Sequence, residues 1–111
     1  MDAKVVNYLQ TKRIDSFQKL NFLLLLHQYH HLRGTPQEFS ERFYLGDISL
    51  LKRIIKDFQA VGLLEQVGNG YQLCKEPTVK LGVKKLAQTF ANPLDRQEML
   101  NWLKPGKFLV P

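Results

Sequence analysis

Hydrophobic and polar positions separate most cleanly between residues 48 and 61. At about 100° per residue, six apolar side chains fall on one half of a helix: Leu50, Leu51, Ile54, Ile55, Phe58 and Val61. The other half is mainly polar or charged: Ser49, Lys52, Arg53, Lys56, Asp57 and Gln59. The pattern predicts an amphipathic helix from Ile48 to Val61, with one half packed and the other facing water or a ligand.

A shorter helix is predicted just before it. Thr35 and Glu38 have the spacing of a capping box, and Pro36 stands at the first helical position. This helix is expected to end at about Tyr44. The turn Leu45-Gly46-Asp47 follows, and its last residue is a natural N-cap for the amphipathic helix.

The segment after Gly62 predicts a β-hairpin. Two short runs, 63–67 and 71–74, are joined by Gly68-Asn69-Gly70. Asparagine and glycine tolerate the positive φ that hairpin turns demand.

The flanking segments predict further helices. Ser16 is a plausible N-cap for a strongly apolar helix from about Phe17 to Leu32, which Gly34 ends in a left-handed conformation. Helical spacing recurs from about Thr78 to Ala91 and in a last helix before residue 104. Val5, Val6 and Leu9 could pack as a short N-terminal helix within residues 1–14. We therefore expect a single mainly α domain over residues 1–111, with a small hairpin, a core at about 16–75, an additional N-terminal helix and a C-terminal helical extension at about 78–104.

Composition narrows the class of protein. A chain of 111 residues usually forms one domain, and with 44% hydrophobic residues it can build its own core. The single Cys74 excludes an internal disulfide and fits a reducing compartment. No apolar run is long enough to cross a bilayer, and no secretory signal is visible. A cytoplasmic location is expected.

The net charge of +6 favours polyanionic partners. The motifs that could carry catalysis are absent from the sequence, including the P-loop, GxSxG, HExxH and dinucleotide fingerprints. Cys74 has no catalytic companion motif. An enzyme is not expected, and neither is a cofactor.

Residues 16 to 75 resemble the winged helix-turn-helix superfamily, of the kind found in small bacterial transcriptional regulators. The resemblance is carried by TPQEFSERF in the first helix of the motif, LGD in the turn, ISLLKRIIKDFQAVGLL in the recognition helix and EQVGNGYQL in the wing. Such proteins typically follow the recognition helix with a Gly-Leu-Leu step into the wing. The resemblance covers a little over half of the chain and indicates a superfamily, without a subfamily or an operator.

By position, the resemblance implies four DNA-facing residues on the recognition helix: Ser49, Lys52, Arg53 and Lys56. Lysines mainly attract phosphates, whereas Arg53 could bind guanine through two hydrogen bonds. Ser49 could donate to a phosphate beside the helix N-terminus. The alternative is a solvated charged face on an ordinary amphipathic helix.

The other candidate contacts are weaker. Asn69 could touch a phosphate, but the wing tip lacks the cation that many DNA-binding wings carry. Lys80, Lys84 and Lys85 lie on one predicted helix face, which either extends the footprint on the DNA backbone or is simply solvated.

The partners follow from these interpretations. Double-stranded DNA is the favoured partner, a protein-interaction or adaptor role is the runner-up, and RNA binding by the same basic face is a third possibility.

Apolar residues near the termini could form a homodimer or pack on the chain's own core: Val5, Val6, Leu9, Phe90, Leu94, Leu100, Trp102 and Leu103. The apolar tail at 107–111 could dock as well.

The histidines invite a metal interpretation. His27 and His31 are one helical turn apart on the predicted helix, a spacing that suits two ligands of one metal. A third ligand is not near in sequence. We therefore interpret His27, His30 and His31 as surface or boundary residues and expect no metal.

Overall fold

The helices and strands follow the predicted order. The structure, a computed structural model, describes residues 1–43 and 45–103. Within these ranges it contains helices α1 (Ala3–Thr11), α2 (Phe17–Gln28), α3 (Pro36–Arg42), α4 (Ile48–Ala60), α5 (Pro77–Ala91) and α6 (Pro93–Trp102), with strands β1 (Leu64–Val67) and β2 (Gly70–Leu73) between α4 and α5. The prediction of a mainly α chain with one antiparallel hairpin is confirmed. Tyr44, Lys104 and the apolar tail lie outside the described residues.

Side-chain caps begin the helices where the sequence marks them. The Thr35 hydroxyl accepts a hydrogen bond from the Glu38 amide at 3.2 Å, and the Glu38 carboxylate accepts one from the Thr35 amide at 3.0 Å. This confirms the capping box. Asp47 caps α4 by accepting from the Leu50 amide at 2.9 Å. Each bond satisfies a first-turn amide that has no partner within its helix.

The predicted apolar half of α4 is packed. Leu51, Ile54, Ile55 and Phe58 are buried. Phe22 of α2 joins this half to α3 in an aromatic cluster, because its ring centroid lies 5.4 Å from that of Phe39 and 6.4 Å from those of Phe43 and Phe58. The amphipathic pattern is therefore used as the sequence predicts.

α2 ends at Gln28, so the predicted end at Leu32 is wrong. Tyr29 leaves the helical region with φ −111° and ψ 57°, and the Leu32 amide donates to the Tyr29 carbonyl in a tight turn. Gly34 then pairs with Tyr71 of β2 through two backbone hydrogen bonds of 3.1 and 2.8 Å. Gly34 has no positive φ, so its predicted left-handed role is also wrong. Pairing with β2 gives the Gly34 amide and carbonyl the hydrogen-bond partners that a longer helix would otherwise supply.

The hairpin is one residue tighter than predicted. Val67 pairs with Gly70, which leaves Gly68-Asn69 as a two-residue loop. Gly68 has φ +61°, the positive value that a type II′ turn needs at its first loop position. Gly70 thus belongs to β2 and not to the tip.

The terminal helices complete the core of this chain. Val5 and Leu9 of α1 are buried, and so are Met99 of α6 and Leu103 just beyond it. α1 packs on α5, and α5 packs on α6 and α2. Of the apolar residues considered for a dimer, Leu94 is exposed. Among the described residues, no helix is long and apolar enough to span a membrane.

Tyr8 of α1 offers a test of this packing. Its hydroxyl is buried with no hydrogen-bond partner among the described residues, and burial raises its pKa to about 12. The ring lies against Gly82 of α5, where a Cβ would come within 2.5 Å of the Tyr8 Cε2 atom.

We expect Tyr8→Phe to raise the free energy of unfolding by about 1 kcal/mol, because the variant removes a buried unpaired polar group. Urea denaturation measures the change. Tyr29→Phe is the matched control, since Tyr29 is 44% exposed and should change stability little. A loss of stability in Tyr8→Phe would show that the hydroxyl is satisfied.

Candidate nucleic-acid interface

The outer face of α4 carries the four predicted contact residues, and all are exposed: Ser49, Lys52, Arg53 and Lys56. They lie opposite the buried half of the helix. Among the described residues, none of the three cations has an ion-pair partner. The face therefore presents three free positive charges within about two turns of helix.

The acidic residue at the edge of this face is already paired. The Asp57 carboxylate lies 2.9 Å from Nζ of Lys19 on α2, and that ammonium also lies 3.2 Å from Asp15 and donates to the Arg13 carbonyl at 2.9 Å. Lys19 is only 8% exposed. Its single charge is shared between Asp57 and Asp15, so Asp57 is paired although the cluster of three keeps a net negative charge. Lys52, Arg53 and Lys56 outnumber that charge on the outer face of α4. Nothing in the apolar pattern marks Lys19 as buried, so the sequence did not predict this network.

The hairpin tip projects a polar but neutral residue. Asn69 is exposed, as its predicted role requires, and Gly68 beside it is also exposed. A cation nevertheless lies close to the tip. Arg33, just before the bridge between Gly34 and Tyr71, places its Cγ atom 3.2 Å from the position that a Cβ on Gly70 would occupy. Sequence reasoning missed Arg33, because only the tertiary bridge brings it to the hairpin.

The predicted lysines of α5 are exposed, but α5 packs against different elements from those that α4 contacts. α5 packs mainly on α1, α2 and α6, whereas α4 packs mainly on α3 and β1. Lys85 lies 3.3 Å from the Asp2 carboxylate. Lys84 lies near His27. A contribution from Lys80 and Lys84 to the same footprint stays a prediction.

The histidines do not have the predicted spacing. His27 lies on α2, but His31 lies in the turn beyond the end of that helix, so the two are not one helical turn apart. Burial, followed by the charges of His30 and Lys84, lowers the pKa of His27. The rings of His30 and His31 lie with centroids 3.9 Å apart. The part of the chain that the structure describes holds no cluster of three or more possible metal ligands.

A second surface feature borders α4. A groove of about 380 Å³ lies between α2 and the start of α4, and Phe17, Leu45 and Leu50 contribute to its lining. Phe17 is 48% exposed.

Cys74 is half-buried against the core and is a free thiol.

The described residues thus present a basic helix face, a neutral hairpin tip with Arg33 beside it, and an apolar groove. Protein-family models do not match this sequence, and comparisons with curated proteins and with solved structures give no significant match.

Proposed function

We propose that this chain is a winged helix that binds double-stranded DNA through α4, as a small cytoplasmic transcriptional regulator. The observation that carries the proposal is the outer face of α4, where Lys52, Arg53 and Lys56 are exposed and have no ion-pair partner among the described residues. The order of α3, a short turn, α4 and a hairpin supports the winged-helix assignment.

The proposed contacts follow from ordinary groove geometry. The major groove admits an α-helix, and the start of α4 would enter it. Lys52 and Lys56 would bind phosphates, while Arg53 would donate two hydrogen bonds to guanine. Ser49 lies in the first turn of α4, beside the Leu50 amide that the Asp47 carboxylate accepts, and its hydroxyl would donate to a phosphate oxygen.

The pairing of Asp57 with Lys19 supports this role. A free carboxylate at the edge of α4 would repel phosphates, but the Lys19 ammonium lies 2.9 Å from it. Because Lys19 is largely buried, it is held there and is not available to the solvent-facing surface. The ion pair reduces the repulsion that Asp57 exerts on a polyanion, so attraction by Lys52, Arg53 and Lys56 predominates on the α4 face.

The direct test is binding to mixed genomic duplex fragments at low salt, followed by a salt titration. We expect log Kobs to fall against log salt with a slope of at least about 1.8 in magnitude, since Lys52 and Lys56 each neutralise one phosphate and each such contact contributes about 0.9. Duplex and single-stranded RNA of the same length are measured in parallel. No retardation of the DNA fragments at low salt would overturn the proposal. Tighter binding to RNA than to duplex DNA would favour RNA as the ligand of the same basic face.

The groove beside Phe17 favours a second candidate function, protein interaction. Its lining is mainly apolar, and Phe17 stays half-exposed although the core lies beneath it. The termini support this candidate less than their sequence suggests, because Val5, Leu9 and Leu103 are buried in the chain's own core. A partner that wild type retains at a fixed stoichiometry, and that Phe17→Ser loses, would favour it.

A homodimer through the terminal helices also remains a proposal. Leu94 on α6 is the terminal residue most open to a second copy, with 78% of its surface exposed. Sedimentation velocity of wild type and Leu94→Ser would show whether such a dimer forms.

A further inference from the structure

The hairpin lacks a cation at its tip, but the fold places one beside it. Gly70 pairs with Val67 at the end of the hairpin nearest the loop. The Arg33 side chain lies next to Gly70, with its Cγ 3.2 Å from the position of a Cβ there. Arg33 and Asn69 therefore belong to one end of the hairpin, although they are far apart in sequence.

Two features of the backbone hold Arg33 in this place. Gly34 exchanges two hydrogen bonds with Tyr71, which fixes the chain directly after Arg33 to the edge of β2. Gly70 has no side chain, and a Cβ would come within 3.2 Å of both the Arg33 stem and the Gly34 carbonyl. The absence of a side chain at residue 70 is what allows the Arg33 stem to lie against the hairpin at Gly70.

The charge of Arg33 is available for a ligand. Arg33 is exposed and has no ion-pair partner among the described residues. The cleft that it lines also contains Glu38, Glu41 and Arg42. The Glu38 carboxylate accepts the Thr35 amide, a bond that holds it in the helix cap and lowers its pKa, so the group stays ionised. The cleft thus holds two acidic and two basic side chains, and among the described residues neither carboxylate forms an ion pair with Arg33.

We propose that Arg33 supplies the phosphate contact of the hairpin. The inference rests on the proposed DNA-binding function and adds a residue that neither α4 nor the hairpin contains. β1 follows α4 closely and packs on it, so a duplex held by α4 has the hairpin alongside. The guanidinium of Arg33 then binds a backbone phosphate through two parallel hydrogen bonds, and Asn69 donates to a neighbouring one.

The test compares the salt dependence of duplex binding in Arg33→Gln, Arg33→Lys and the control Arg96→Gln. Arg96 is an exposed arginine on α6, which packs on α5. We expect Arg33→Gln to weaken binding about eightfold at 0.1 M salt and to reduce the slope by about 0.9. Arg33→Lys keeps the slope, since the charge remains, and Arg96→Gln leaves both quantities unchanged.

The outcomes separate this inference from the proposed function. Wild-type affinity and slope in Arg33→Gln, together with losses in Lys52→Gln, would overturn the role of Arg33 and leave the α4 proposal standing. No binding by wild type would overturn both. Circular dichroism and urea denaturation confirm that the exposed substitutions leave the fold intact.

A gain-of-charge variant tests the position of the tip independently. If the tip lies against the backbone, Asn69→Lys adds one phosphate contact, which increases the slope by about 0.9 and tightens binding several-fold. Gln10→Lys, an exposed position on α1, is the matched control. Equal effects of the two lysines would show that the tip is not close to the DNA and would contradict the proposed contact.

Discussion

If the proposed function is right, we expect replacement of Lys52, Arg53 and Lys56 together by glutamine to lower the affinity for duplex DNA by about two to three orders of magnitude at 0.1 M salt. The variant loses counterion release from the phosphate contacts of Lys52 and Lys56, each worth about eightfold at that salt concentration. It also loses the two hydrogen bonds of Arg53 to guanine, which are worth about 1–3 kcal/mol. The slope of log Kobs against log salt falls by about 1.8, because two phosphate contacts are lost. Fluorescence anisotropy with a labelled duplex at several salt concentrations measures both quantities. The three side chains are exposed, so stability should change little.

The matched control removes the same charge from elsewhere. Lys4, Lys75 and Arg96 are all exposed, and their replacement by glutamine also lowers the net charge from +6 to +3. Lys75 follows the base of the hairpin, at the end away from its tip. If this control lost as much affinity as the α4 variant, binding would depend on total charge and the assignment of α4 would be wrong.

Phe22→Ala destabilises the protein by about 3–5 kcal/mol. Phe22 is 1% exposed and lies between α3 and α4, with ring contacts to Phe39, Phe43 and Phe58. Truncation removes these contacts and leaves a cavity that the surrounding helices fill only in part. Domains of this size have a stability of about 5–15 kcal/mol, so the variant loses a large fraction of it. Urea denaturation followed by circular dichroism measures the loss.

The control for Phe22 lies on the same helix. Phe17→Ala makes the same chemical change, but Phe17 is 48% exposed. We expect a cost of no more than about 1 kcal/mol, because the residue buries only part of its surface. Similar losses for the two variants would mean that Phe17 is covered in solution, as it would be if the groove beside it were occupied.

Much of α3 and α4 could be predicted from sequence because their signals are local. Thr35 and Glu38 are three residues apart, and the bonds of the capping box form within one turn. The periodicity of α4 likewise needs no knowledge of its neighbours, and it correctly separates exposed Lys52 and Arg53 from buried Phe58. Whether that exposed face binds DNA remains our proposal.

The errors occur where a distant segment competes with a local preference. The predicted helix continues past Gln28 to Leu32, but the chain leaves the helix at Tyr29 and Gly34 bonds to Tyr71. The same contact brings Arg33 to the hairpin. Lys19 resembles its exposed neighbours in sequence, and it is buried only because Asp57 of α4 and the Arg13 carbonyl receive its ammonium.

The sequence by itself determined the element order, the starts of α3 and α4, and the division of α4 into a packed half and a basic half. These follow from helical periodicity and from caps, which act over one or two turns. Only the tertiary structure decided where α2 ends, which lysine pairs with Asp57, and that Arg33 lies beside Gly70. Those outcomes depend on hydrogen bonds and ion pairs between residues far apart in sequence. Such pairings produce no repeating pattern along the chain from which they could be predicted.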